Sequence, residues 1–323
     1  MQRVADCLLV LAALSASCPA HAQSPRAQVT VRMIVPFGAG GSTDTATRVL
    51  AEELRRMGAM NIVVDNLPGA TGKIGAEACA RANPDGHTLC LGVTTTNTLP
   101  LVLDAQAGSL DYLRNLVPVV LIGTQPLVIS VNPRVPARSV PALAQWLKES
   151  GDTTFSTTGI GSISHLAGLS FAHQLGITLT HIPFKGGESA SLAAASGQVA
   201  LTITQFGSIL PFLASGRLVP VATTGSRRLP MLQQVPTLSE ALNPRLTFVA
   251  YLGFFAPRGI AEHIAAGIYE NFRAAAANPE VQQRLWKLGV EPDIRPGPAF
   301  AEFLAREETA YRAVLKTHGI RLD

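Results

Sequence analysis

An apolar run, Val31–Val35, enters Pro36 and a glycine-rich turn, Phe37-Gly38-Ala39-Gly40-Gly41, and leaves through Ser42-Thr43-Asp44. Helical spacing follows at Thr47, Leu50, Ala51 and Leu54. Glycines let the backbone turn tightly and leave amide N–H groups uncovered. Ser42, Thr43 and Asp44 are natural caps for the helix behind them. A helix start reached through such a loop is a ready anion site, because its N–H groups are unpaired and its dipole is positive there. The same residues also suit a plain capped turn, so the loop alone leaves both readings open.

The order strand, polar glycine loop, helix then recurs. Strands are predicted over Asn61–Asp65 and Thr88–Val93, with a second glycine loop, Asn66–Gly72, and a helix over Gly75–Ala82 between them. Further strands are predicted at Thr153–Ser156, Thr180–Ile182, Val199–Thr204 and Leu218–Thr223, separated by helices and by their own Gly/Ser/Thr loops. Such alternation argues for α/β architecture with parallel strands. In such sheets ligands sit at the carboxyl ends of the strands. Val117–Ile122 with Leu127–Val131 reads as a long strand interrupted near Gly123–Pro126, and Thr247–Ala256 as a second long strand. These are the candidate crossings between two lobes. Lobe 1 would comprise residues 23–123 and 251–323, and lobe 2 residues 124–250. The C-terminal part is helical over Ala261–Ala277, Glu280–Leu288 and Pro298–Thr317.

Residues 1–22 read as an export leader. Arg3 gives a basic start, Leu8–Leu14 an apolar run, and Ala20-His21-Ala22 a cleavage signal near Ala22. Cys18 offers a lipid-anchor alternative, disfavoured by the preceding Ser-Ala-Ser and by Pro19. No later stretch has the roughly 18 uninterrupted apolar residues of a membrane span. A net charge of +4 without a Lys/Arg run, and only 6% aromatic residues, make nucleic acid a poor partner. Cys79 and Cys90 remain after cleavage, late in a helix and in the next strand. An oxidising compartment permits a bond between them, but the sequence does not give their separation.

Catalytic patterns are scarce. No G-x-S-x-G elbow occurs. Gly72-Lys73 lacks the rest of a phosphate loop, with Leu67 and Ile74 in the decisive places. From Gly38, a dinucleotide fingerprint fails at Thr43. His165, His173 and His181 are spaced by eight, which suits no metal motif, so neither metal nor cofactor is expected. Ser162, Ser164 and His165 lie together, and a secreted Ser/His hydrolase is the lesser alternative. Binding fits better. Phe37, Gly40, Gly41, Ser42, Thr43 and Asp44 form one candidate loop. Thr157, Thr158, Gly159, Gly161, Ser162, Ser164 and His165 form another. Facing each other, they could hold a small carboxylate through backbone N–H groups. Lys185 could add a positive charge, and Thr94, Thr95 and Gln205 end strands on the same rim.

Taken together, P-F-G-A-G-G-S-T-D at Pro36–Asp44, P-G-A-T-G-K-I-G-A-E at Pro68–Glu77, P-D-G-H-T-L at Pro84–Leu89 and S-T-T-G-I-G-S-I-S-H-L-A-G at Ser156–Gly168 form a joint signature. H-I-P-F-K-G-G at His181–Gly187, V-P-T-L-S-E-A at Val235–Ala241 and G-F-F-A-P-R-G at Gly253–Gly259 complete it. The chain resembles the substrate-binding receptors of tripartite tricarboxylate transporters, the Bug family, over essentially its whole mature length. The resemblance implies a two-lobed type II periplasmic binding-protein fold with two hinge-crossing strands. It implies a monomeric periplasmic receptor, without turnover, that delivers a ligand to membrane transporter subunits. The ligand would be a di- or tricarboxylate, an acidic amino acid or an aromatic acid, gripped by Phe37–Asp44 and Thr157–His165. Tyr251, where the family often has Trp, and Thr204-Gln205 depart from its pattern and leave the distal end of the ligand unassigned. A sensor feeding a membrane signalling receptor is the alternative reading.

Overall fold

The computed structural model of the protein describes residues 30–98, 111–244 and 246–318, so the expected leader lies outside the described residues. The elements run β1 (Thr30–Val35), α1 (Ser42–Arg56), β2 (Asn61–Asn66), α2 (Lys73–Ala80) and β3 (Thr88–Val93). A π-helical turn (Thr94–Thr98) precedes β4 (Leu116–Val131), α3 (Val140–Ser150), β5 (Thr154–Thr157), α4 (Ile163–Leu175) and β6 (Thr180–Pro183). Then come α5 (Gly187–Ala195), β7 (Leu201–Gln205), α6 (Phe206–Ala214), β8 (Val219–Thr223) and β9 (Val249–Pro257). The chain closes with α7 (Glu262–Ala276), α8 (Pro279–Lys287), β10 (Glu291–Pro296) and α9 (Gly297–His318).

The strand order is β2-β1-β3-β9-β4-β7-β5-β6, with β8 and β10 also pairing with β4. Parallel pairing holds at each end, β2-β1-β3 and β7-β5-β6. The crossing strands are antiparallel to their neighbours, so the sheet is mixed. β4 is the shared member. Residues 116–126 pair with β9, and Leu127–Val131 with β7 on the far side of the junction. The interruption expected at Gly123–Pro126 is absent. The strand absorbs its prolines and glycine through register shifts between Pro118 and Val120 and between Leu121 and Gly123. Gly123 is needed where β10 crosses, because a Cβ there would stand 2.2 Å from the Glu291 carbonyl oxygen.

Alternation along β4 assigns the cores. Leu127, Ile129 and Val131 face one cluster, with Phe155, Leu201 and Phe171, while Val128 faces another with Phe206 and Ile209. Around β1, Val31, Met33 and Val35 pack on Leu50 and Leu54 of α1 and Phe272 of α7. Ile34 turns to the opposite face, with Tyr251, Phe255 and Phe300. Cys79 and Cys90 meet in that cluster as a disulfide, Cα atoms 6.0 Å apart, tying α2 to β3. The last helix serves both halves: Phe300 and Phe303 pack beside β3 and β9, whereas Tyr311 packs into the β5–β7 core.

Candidate ligand-binding site

Between the two parallel ends lies a cleft of about 740 Å³. One wall is Phe37–Thr43 with Val93 and Thr95; the other is Thr158, Lys185–Ser189, Gln205 and Ser208. Gln125 of β4 and Ala250 of β9 form its floor. Every wall therefore stands at the carboxyl end of a parallel strand, and the floor is built by the crossing strands.

Three helices start at this cleft, and none has a side-chain cap. Gly41 stands at the N-cap of α1, Gly186 at that of α5 and Gln205 at that of α6. Gly186 adopts φ +120, which a residue with a Cβ rarely enters. The first backbone bond of α1 runs from Thr45 N to the Gly41 oxygen at 2.9 Å. The amides of Ser42 and Thr43 come earlier and lack an intrahelical acceptor. Each helix start carries roughly half a positive charge. The three start close together. Gly207 of α6 lies against the Leu288 carbonyl, where a Cβ would approach to 2.7 Å, and near Ser42 of α1.

The first loop is held from behind. Asp44 is 1% exposed and does not line the cleft. One carboxylate oxygen accepts from Gly40 N and from Arg48 Nε, each at 2.9 Å, and the other from Asn66 Nδ2 at 2.9 Å. Asn66 Nδ2 also donates to the Phe37 oxygen at 3.1 Å. Burial pushes the Asp44 carboxyl up, but the bonds from Arg48, Gly40 and Asn66 together hold it below the ordinary value. Asp44 thus shapes the loop whose backbone faces the cleft.

The second loop spends its polar groups on itself. Ser162 caps α4 by accepting from His165 N at 3.2 Å and donates to the Gly159 oxygen at 2.7 Å. Ser164 Oγ accepts from Thr158 N at 3.1 Å and lies 2.8 Å from Ser162 Oγ. His165 Nδ1 accepts from Gly161 N at 3.2 Å, which leaves the ring proton on Nε2. Its ring stacks on His181, centroids 3.8 Å apart, and His181 Nε2 meets Thr157 Oγ1 at 2.6 Å. Burial first, and His181 second, push the His165 imidazole down to about 4. Burial also lowers His181. Of the residues predicted from this loop, Thr158 lines the cleft; Thr157, Gly159, Gly161, Ser162, Ser164 and His165 build the support beneath it. The serine hydroxyls meet one another, the Thr158 hydroxyl and backbone groups, while the imidazole receives a backbone amide; no Ser–His pair of the nucleophile–base kind is formed.

Of the rim residues, Lys185 and Gln205 line the cleft. Thr94 is buried and accepts from Tyr251 N at 3.1 Å; its neighbour Thr95 reaches the cleft. The expectations did not include Gln125, Gly187, Glu188, Ser189 and Ser208. Gly187 and Ser189 were legible as a polar strand-end loop before a helix. Gln125 was hidden by the break expected in β4. Among the described residues no cluster of His, Cys, Asp or Glu could hold a metal ion, and no helix is long and apolar enough to cross a membrane.

Known proteins share this architecture. The family model described as tripartite tricarboxylate transporter family receptor matches residues 46–320. Protein BugT of Bordetella pertussis is 32% identical over 296 residues, covering 90% of each chain. R. palustris Rpa4515 with adipate superposes with a TM-score of 0.81 at 27% identity, covering 90% of this chain and 98% of that one. MatC from Rhodopseudomonas palustris with bound malate gives a TM-score of 0.75 at 29% identity, covering 88% and 98%. By sequence and by fold, the chain belongs to the receptor family of the tripartite tricarboxylate transporters, the Bug proteins.

Proposed function

We propose that the protein is a periplasmic receptor that captures a small carboxylate in this cleft and delivers it to the membrane subunits of a tripartite tricarboxylate-type transporter. The observation that carries the reading is the convergence of three uncapped helix starts on one 740 Å³ cleft. Unpaired N–H groups and aligned dipoles suit a carboxylate. The amides of Ser42 and Thr43 take one end of it, and Thr158, Lys185 and Gln205 approach from the opposite wall. The adipate and malate held by the two R. palustris relatives support this class of ligand. Residues 1–22 act as the export leader, and the mature chain works as a monomer.

The lobes over 23–123 with 251–323, and over 124–250, close on the ligand about β4 and β9. A carboxylate touching both walls shifts the population toward the closed form, which a transporter subunit can read as occupancy. A thermal-shift screen of the mature protein against dicarboxylates, citrate, acidic amino acids and aromatic acids tests the reading. Saturation at about 100 times the Kd stabilises by about 2.7 kcal/mol, a shift of several degrees. Native mass spectrometry first verifies that the protein carries no retained ligand. An empty protein that responds to none of these acids overturns the reading.

A further inference from the structure

The cleft has an acidic side chain on its wall. Among the described lining residues, Lys185 is the one basic and Glu188 the one acidic group. Both are exposed, and neither side chain makes a hydrogen bond or ion pair with a described residue. Asp44, the other nearby acid, is buried behind its loop with three donors on its carboxylate. Glu188 is different: it stands in the first turn of α5, on the wall formed by Lys185–Ser189.

We propose that Glu188 selects the ligand by charge: the carboxylate taken here also bears a protonated amine, and Glu188 receives that amine. The inference rests on the carboxylate-receptor reading above and narrows it. Lys185 and Glu188 cancel, so the cleft's side chains carry no net charge, and its positive potential comes from the helix starts alone. That field suits a ligand of low net negative charge. A di- or tricarboxylate without an amine would meet an unpaired carboxylate on the wall and gain one lysine in return. An amino-bearing acid places each charge against its opposite: carboxylate on the α1 start and Lys185, ammonium on Glu188. Adipate and malate, held by two relatives, carry no amine, so the proposal sets this chain apart from them.

An acidic residue in a first turn also favours its own helix. That role changes unliganded stability and is indifferent to the ligand, which separates the two. Calorimetric titration of the mature protein with glutamate against glutarate, and aspartate against succinate, isolates the amine within each pair. The expected result is tighter binding of an amino-bearing member than of its amine-free twin. Glu188→Gln then weakens the amino acid by about tenfold, the scale of one charge-assisted bond, and leaves the twin unchanged or improved. Glu188→Asp retains the preference in direction, and Lys185→Gln weakens both twins. Wild-type protein that binds the amine-free twins as well or better, with Glu188→Gln moving both alike, overturns the inference while the receptor reading stands. A cleft that takes none of the carboxylates in the screen removes the reading and the inference together.

Discussion

Two loops look alike in sequence and do opposite work. Phe37–Asp44 and Thr157–His165 each carry glycines and hydroxyls between a strand and a helix. In the first, Gly41 sits at the N-cap, so the amides at the start of α1 remain open, and the polar side chain Asp44 is turned backwards to hold Gly40 and Asn66. In the second, Ser162 sits at the N-cap and closes the start of α4 with its own hydroxyl. The identity of one residue, glycine or serine at the N-cap, decides whether a helix start offers its amides to a ligand or spends them internally. The first loop presents its backbone to the cleft; the second braces Thr158 and the wall around it.

The largest effect should come from what backs the first loop. Gly75 of α2 packs against Pro36 at the loop entrance, where a Cβ would come within 2.9 Å of the proline ring. The Cys79–Cys90 bond anchors that helix to β3. Replacing both cysteines by Ala should cost about 2–4 kcal/mol, read from urea midpoints, and should loosen ligand binding as well. Asp44→Ala comes next. It strips three bonds from the back of the loop, so stability should fall by about 2 kcal/mol and affinity by about tenfold. Ser162→Ala is the contrasting variant. Loss of the cap should cost about 1 kcal/mol, with affinity nearly unchanged. If Ser162→Ala abolishes binding at full stability, the division of labour between the loops is wrong.

The smallest effect is one of pH. The His165 imidazole is held at about 4 against an ordinary 6.5, so the folded protein resists a proton that the unfolded chain accepts. Stability contributed by this group is complete above about pH 6.5 and declines as the pH falls toward about 4. Melting temperatures between pH 7 and pH 4.5 should therefore drop by more in the native protein than in His165→Gln. Equal slopes would place the acid sensitivity elsewhere.

The sequence disclosed the frame of this molecule better than its details. Val31–Val35, Thr88–Val93 and the Val199 run are apolar segments bounded by turn residues, so the strands were readable, and the glycine loop pointed to the carboxyl ends. β10 was not, because Glu-Pro-Asp-Ile-Arg-Pro has neither alternation nor an apolar run. It is a strand only because β4 is beside it, and Gly123 lets it approach. The same tertiary pairing carries β4 through prolines that locally read as a break. At the cleft, residue types were legible and directions were not. Nothing in the string of hydroxyls at 157–165 says that Ser162, Ser164 and Thr158 bond to one another while Thr158 also reaches the cleft. Whether Cys79 and Cys90 pair depends on how α2 lies on β3, which follows from packing of Gly75 on Pro36 rather than from spacing.

The most direct test of the account is the backbone itself. Amide chemical-shift mapping of the ¹⁵N-labelled protein, titrated with a carboxylate that stabilises it, reports which N–H groups meet the ligand. The account predicts the largest shifts at Gly41, Ser42 and Thr43, with Gly161, Ser162 and Ser164 moving little. Large shifts confined to Gly161–Ser164, with Gly41–Thr43 unmoved, would contradict it.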